Sequence, residues 1–364
     1  MRSLAMVELL AEFGTVDLVA FDDGTADRAG LASMGVEVHA TPWAPATRRV
    51  LAGLPEMRSL SGARFWHPGL AEAIARLASR DAYDVVQVEY LQLAPYARGV
   101  APGALRILDL HNVESSLLRS TWGFRGRRAR IAMIPEVAAL RRLERVELPR
   151  FDLTVVVSES DALRLPDAAS ALVCPNGWRP GRPADWSGEP VAIFVALLGW
   201  APNADAALWL GREIWPRVVR DLPEARLLLV GRNPPASVLA LADRSIEVVA
   251  SPAEIGPHLA QASVALAPLR AGGGSRLKIL EALDAGRPVV ATPVGAEGLD
   301  DLIGRGVVVG ETAAGVAGRV VELLRDTDRA RALGLRGHDH VRSAYAWEKT
   351  LAPLRERVAR AAQG

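Results

Sequence analysis

The stretch Arg270-Ala271-Gly272-Gly273-Gly274-Ser275-Arg276-Leu277-Lys278-Ile279-Leu280-Glu281-Ala282-Leu283 holds the residues best placed for chemistry. It follows the apolar run Val264–Leu269 and reads as strand, glycine loop, helix. Three consecutive glycines let backbone N–H groups approach an anion closely, and a helix start adds unpaired donors and partial positive charge, so the loop fits a phosphate. Arg276 and Lys278 fall in the first helical turn, where cations oppose the helix dipole unless an anion joins them. With that anion present they would hold a diphosphate. Glu281 lies one turn beyond Lys278, near the same helix face. It suits either the paired hydroxyls of a ribose or an i, i+3 salt bridge with Lys278. The plain alternative for the whole stretch is a flexible turn before an ordinary amphipathic helix.

Other reactive residues are sparser. His111 follows the strand-like run Leu105–Leu110 and reads either as a ligand contact or as a hydrogen-bonded structural histidine. The lone Cys174 allows neither an internal disulfide nor a multi-cysteine metal site, and fits a buried strand end. Asp326-Thr327-Asp328 has a metal-binding spacing but separates two helical stretches, which favours helix capping. His338-Asp339-His340 places its histidines at i, i+2, off a common helix face, and reads as solvated. No metal and no other cofactor is expected. The arginine-rich stretch Arg119–Arg150 suits acidic lipid headgroups or an anionic acceptor, with a solvated helix of i, i+4 pairs as the alternative. From Arg127 to Arg150 no aromatic residue interleaves with the arginines, so nucleic acid is not expected.

These residues must be positioned by a chain of 364 residues, enough for two domains at roughly 150 residues each. Half of the residues are apolar, 23% are charged and the net charge is +1, a soluble globular composition that excludes disordered and fibrous classes. Of 43 basic residues only Lys278 and Lys349 are lysine, so Lys278 marks a place where a compact point charge stands instead of a planar fork. The longest near-apolar run, Val191–Ala201, is shorter than the ~20 residues a membrane span requires, and no signal-peptide pattern opens the chain. A cytoplasmic location is expected, with membrane association through the arginine-rich stretch as an addition.

Strand-like runs at Thr15–Phe21, Asp84–Glu89, Leu105–Leu110 and Leu153–Val157 alternate with helical patterns, and Val191–Ala196, Arg226–Val230, Ile246–Val249, Val264–Ala267 and Pro288–Ala291 repeat the plan. Alternation of this kind predicts parallel α/β units. The Pro- and Gly-rich run Pro175–Pro183 is the natural linker, giving an N-terminal domain over 1–180 and a C-terminal domain over 181–340. A terminal helical segment over 341–364 is expected to pack back toward the N-terminal domain. The chain opens on a helical stretch, Arg2–Phe13, with no strand or glycine turn before it, so a first βα unit is read as missing.

The run Gly272–Thr292 (GGGSRLKILEALDAGRPVVAT) resembles the donor-binding signature of family 4 retaining glycosyltransferases. Phe194–Trp209, Ala225–Arg232, His111–Ser115, Val155–Asp161, Cys174–Gly177 and Tyr345–Trp347 resemble further stretches of that family in order, so the likeness covers nearly the whole chain. The resemblance implies a GT-B fold: two Rossmann-like, doubly wound domains facing across a cleft. A nucleotide diphosphate sugar would be held mainly by the C-terminal one, and the reaction would be metal-independent transfer with retention. By position, Glu281 matches the second glutamate of the family's E-x7-E motif and would bind the ribose. Arg276 or Lys278 would hold the diphosphate, and His111 would lie beside the transferred sugar.

Gly273 stands where the first glutamate of that motif belongs, which leaves the sugar preference open. The loop from Gly199 to Asn203 lacks the family's Arg and Lys, which shifts the diphosphate onto Arg276, Lys278 and Arg232. Gly273, Gly274, Ser275, Gly199 and Asn203 would complete the donor site. The acceptor is an unspecified saccharide, lipid-linked or small molecule. A nucleotide-sugar epimerase of the same fold and an inert glycosyltransferase-like partner subunit stay open as alternatives. A nicotinamide oxidoreductase is the third rival, and it would want G-x-G-x-x-G after a strand with an acidic residue ~20 positions on, a spacing that follows no strand here.

Overall fold

The computed structural model describes residues 1–22, 24, 27–43, 47–124, 126–167, 171–274 and 276–363. They form two compact units. The first comprises Met1–Arg119, Gly126–Pro175 and Leu351–Gly364, and the second Ser120–Arg125 and Asn176–Thr350. The main division falls at Pro175–Asn176, and Leu351–Gly364 belongs to the first unit.

In the first unit β1 (Val16–Asp22) and β2 (Val36–Pro42) pair in parallel, from Val16 opposite Val36 to Asp22 opposite Pro42. A separate parallel sheet follows in the order β3 (Val85–Glu89), β4 (Leu105–Leu110), β5 (Leu153–Val156), β6 (Ala171–Val173). Among the described residues the six strands form two sheets, β1 pairing with β2 and β3 with β4. Every residue of β1 and of β3 keeps partial exposure. β5 is buried throughout and the last four residues of β4 are buried, since a parallel strand covered on both faces must be apolar on both.

The helix Arg127–Glu147 seals this unit with Val137, Leu140 and Leu143, the inward stripe of a helical period. The helix Pro68–Arg80 buries Leu70, Ala73 and Leu77, and starts where Pro68 fixes the first helical φ and the His67 ring accepts from Gly69 N. The terminal helix Ala352–Ala361 buries Leu354 and Val358, and its Arg355 is ion-paired with Glu12.

The second unit is one six-stranded parallel sheet ordered β12 (Val307–Val309), β11 (Val289–Ala291), β10 (Val264–Ala267), β7 (Val191–Val195), β8 (Arg226–Gly231), β9 (Ile246–Ala250). Phe194, Leu227, Leu229 and Trp215 lie in the apolar layer on one face, and Ile193, Val230, Leu280 and Leu283 in the layer on the other. This is a doubly wound sheet, and its strand order reverses between β7 and β10: the chain runs outward from β7 to β9, then returns to β10 and proceeds the other way. In such sheets ligands bind in the crevice beyond the carboxyl ends of the two strands at that reversal.

Candidate functional site

The two loops that leave the reversal point carry the sequence-predicted residues. After β7 the chain turns through Gly199, whose N–H donates to the Arg232 carbonyl beyond β8. A Cβ at Gly199 would stand 2.8 Å from the Asn233 carbonyl oxygen, so this close approach of two loops requires glycine. Asn203 sits in the first turn of the helix Ala201–Trp209, buried, its Nδ2 donating to Leu197 O at 3.0 Å. After β10 the glycine loop leads into the helix Leu277–Asp284, which has Arg276 at its N-cap and no side chain capping its first amides. Gly272 and Gly274 hold positive φ of 143° and 70°, a backbone that β-carbon residues rarely adopt. Ser275 lies outside the described residues.

Lys278 is the cation these loops enclose. Its Nζ donates to Asn203 Oδ1 at 2.8 Å and lies 4.8 Å from the centroid of the Phe194 ring. Burial, aided by the neighbouring Arg276 charge, lowers its pKa to about 7, against a weaker pull from Glu281. Glu281 is half-buried, and burial raises its pKa although Lys278 acts the other way. No Lys278–Glu281 ion pair occurs among the described residues, since the ammonium is turned to Asn203. The i, i+3 salt bridge is therefore not what these two residues form.

Arg276 behaves differently from Lys278. Its guanidinium is 4% exposed and donates to Val294 O at 3.0 and 3.2 Å and to Gly273 O at 2.7 Å, with Glu297 at 3.6 Å. It ties the glycine loop to the turn after β11 and so shapes the cradle. Arg232 is exposed at the carboxyl end of β8. Sequence reasoning missed Arg270, which pairs with Asp205 through two hydrogen bonds of 3.0 and 2.6 Å and lies over the Trp209 ring. It also missed Glu297.

A second polar cluster lies at the carboxyl ends of β3 and β4 in the first unit. His111 Nε2 is 2.8 Å from Glu89 Oε2 and 3.3 Å from Asp109 Oδ2. Arg2 reaches Asp109 from the first helix, with Nε to Oδ2 at 2.7 Å and Nη2 to Oδ1 at 2.6 Å, and also donates to Cys174 O. Arg2 and Asp109 are 4% and 0% exposed. Burial alone would raise the Asp109 pKa, but Arg2 and His111 outweigh it and hold the carboxyl below its ordinary value. Burial likewise would lower the His111 pKa, and the Asp109 and Glu89 carboxylates outweigh it, so the imidazole holds its proton above the ordinary range.

Tyr90, beside Glu89, has φ 69°, and its ring lies 4.0 Å from that of His111 between centroids. Backbone strain at a strand end next to paired charged groups is the kind that functional sites retain. The ligand atoms of Glu89, Asp109 and His111 fall within 4.8 Å of one another, as do those of Asp17, Glu37 and His39. In the first group the Arg2 guanidinium already neutralises Asp109. Glu89, Tyr90 and Arg2 escaped the sequence reading, although Glu89 shares with His111 the strand-end position that made His111 a candidate.

The remaining motifs are structural. Asp326 Oδ1 caps the helix Thr327–Ala344 by accepting from Arg329 N. His338 is buried and bonds the Asp284 carbonyl, so the segment is not a solvated face there. Cys174 is buried, which pushes its thiol pKa up to about 11.

Residues 189–326, within the second unit, match the model of the family described as glycosyl transferases group 1. No curated protein matches the chain. Among solved structures, sucrose-phosphate synthase from Thermosynechococcus elongatus is similar at 15% identity and TM-score 0.69, covering 95% of this chain and 98% of that one. HepE from Anabaena, solved with UDP and glucose, is similar at 14% identity and TM-score 0.66, covering 98% and 95%. TarM of S. aureus is similar at 13% identity and TM-score 0.65 over 81% of this chain, which spans 58% of TarM. The fold is that of the GT-B glycosyltransferases, and the family match supports a glycosyltransferase. Among the described residues no helix is long and apolar enough to cross a membrane.

Proposed function

We propose that the protein transfers a sugar from a nucleotide diphosphate sugar to an acceptor, with retention of anomeric configuration and without a metal. The observation that carries this reading is Lys278: an enclosed ammonium at an uncapped helix start, behind a glycine loop, at the reversal point of a doubly wound sheet. An enclosed cation whose pKa burial has lowered is poised to gain an anion. Breaking a sugar–phosphate bond builds charge on the leaving diphosphate, and fixed donors there favour the transition state over the ground state.

In this reading Lys278 and the loop amides hold the diphosphate, Glu281 takes the ribose hydroxyls, and Arg276 keeps the cradle in shape. His111, clamped by Glu89 and Asp109, polarises the transferred sugar. The UDP bound to HepE supports uridine as the first base to try. The acceptor is a hydroxyl of a saccharide, lipid-linked or small molecule, and the location is cytoplasmic.

The test is nucleoside diphosphate release from a panel of nucleotide sugars, with the anomeric form of the product read by NMR. Release by the wild type, its loss in Lys278→Ala and an unchanged anomer support the proposal. Inversion removes the retaining mechanism, and failure to release any diphosphate or to bind one removes the transferase.

A further inference from the structure

The helix Arg127–Glu147 sorts its charges by face. Its three glutamates turn inward: Glu136 accepts from Leu60 N and Ser61 N, Glu144 from Ser115 N and Oγ, and Glu147 from Arg98. Each carboxylate is thereby consumed inside the first unit. Arg127, Arg128, Arg141, Arg142 and Arg145 are exposed, and none forms an ion pair among the described residues. At about 3.6 residues per turn, Arg127, Ile131, Ile134, Arg141, Arg142 and Arg145 share the sector opposite the buried Leu140 and Glu147. On that sector Ile131 is 58% exposed and Ile134 is 53% exposed.

A helix that faces only water interleaves acids with its bases, because like charges at i, i+3 and i, i+4 repel. This outward face has no acid and adds two exposed isoleucines, which water does not favour. Both features are resolved by one environment: phosphate headgroups answer the arginines, and the headgroup–acyl boundary takes the isoleucines. Nucleic acid would answer the arginines and leave Ile131 and Ile134 in water. We propose that this face of the helix docks the protein on an anionic phospholipid bilayer, the helix lying in the plane of the interface.

The experiment is co-sedimentation of the full chain with vesicles of phosphatidylcholine, with or without phosphatidylglycerol. One variant carries Arg127→Gln, Arg141→Gln, Arg142→Gln and Arg145→Gln, and a second carries Ile131→Ser and Ile134→Ser; all six positions are on the surface, and circular dichroism confirms the fold. Binding is expected to need the anionic lipid and to weaken with salt. Each arginine near the surface is worth about fivefold, so the quadruple variant loses on the order of several hundredfold. The isoleucine variant is expected to bind less at every salt concentration while keeping the wild-type salt slope. Absence of sedimentation with anionic vesicles, equal sedimentation with neutral ones, or binding unchanged in either variant overturns the proposal.

Discussion

Proton uptake on nucleotide binding is the sharpest consequence of Lys278. Burial and the Arg276 charge hold this ammonium at about 7, well under its ordinary 10.5. A diphosphate placed against it removes that penalty and returns the pKa toward the ordinary value. Binding then requires the protonated form, which is about one half of the free protein at pH 7 and about one hundredth at pH 9. The dissociation constant of a nucleoside diphosphate should therefore rise about fiftyfold between those pH values, while the phosphate's own second ionisation, near pH 6, lies outside the window. Isothermal titration calorimetry in two buffers of different ionisation enthalpy counts the protons directly. Close to one proton should be taken up at about pH 8.5. Lys278→Met should bind weakly with a flat profile, because the titrating group is gone. A nucleotide that binds the wild type with the same affinity and no proton uptake from pH 7 to 9 would refute the reasoning.

Three further outcomes follow from the first unit. Asp109→Asn leaves the Arg2 guanidinium buried without its charge partner and should cost about 3–5 kcal/mol in urea unfolding. Glu144→Ala strips the acceptor from Ser115 N and Oγ, two buried donors, and should cost about 1–3 kcal/mol by the same assay. The His111 pKa should exceed the ordinary value of about 6.5 when titrated by NMR. Because the folded state binds that proton more tightly, its contribution is fully present below about pH 6.5 and is lost as pH rises through the raised value. The stability gap between wild type and His111→Gln should accordingly narrow as the pH is raised.

The strands buried on both sides were legible as apolar runs: Leu105–Leu110 and Val264–Ala267 were read with their observed ends. β2 was not, because Val36–Pro42 mixes Glu37, His39 and a terminal proline into its alternation. β12, three residues long, was not read, and β6, as short, showed only as the strand end at Cys174. The glycine loop and Lys278 were legible from local chemistry, yet the contact that defines Lys278 is with Asn203, 75 residues earlier, and sequence spacing carries no trace of it. The same holds for Arg2 and Asp109, 107 residues apart. Arg276 was read as a ligand contact from its position in the first turn, but a long planar donor can also turn back onto nearby carbonyls, as it does on Val294 and Gly273. The inward turn of Glu136, Glu144 and Glu147 depends on which helix starts lie beneath them, so the charge sorting of that helix emerged only with the fold.

The measurement that bears most directly on the donor site is a thermal-shift screen of UDP, GDP, ADP, CDP and dTDP against the wild type, Lys278→Ala and Glu281→Ala. A bound nucleotide at ~100 times its Kd stabilises by about 2.7 kcal/mol, several degrees if the two units melt together. One diphosphate, UDP first among them, is expected to raise the melting temperature of the wild type and of neither variant. A well-folded wild type that no diphosphate shifts, or a shift that survives in both variants, would contradict that donor site.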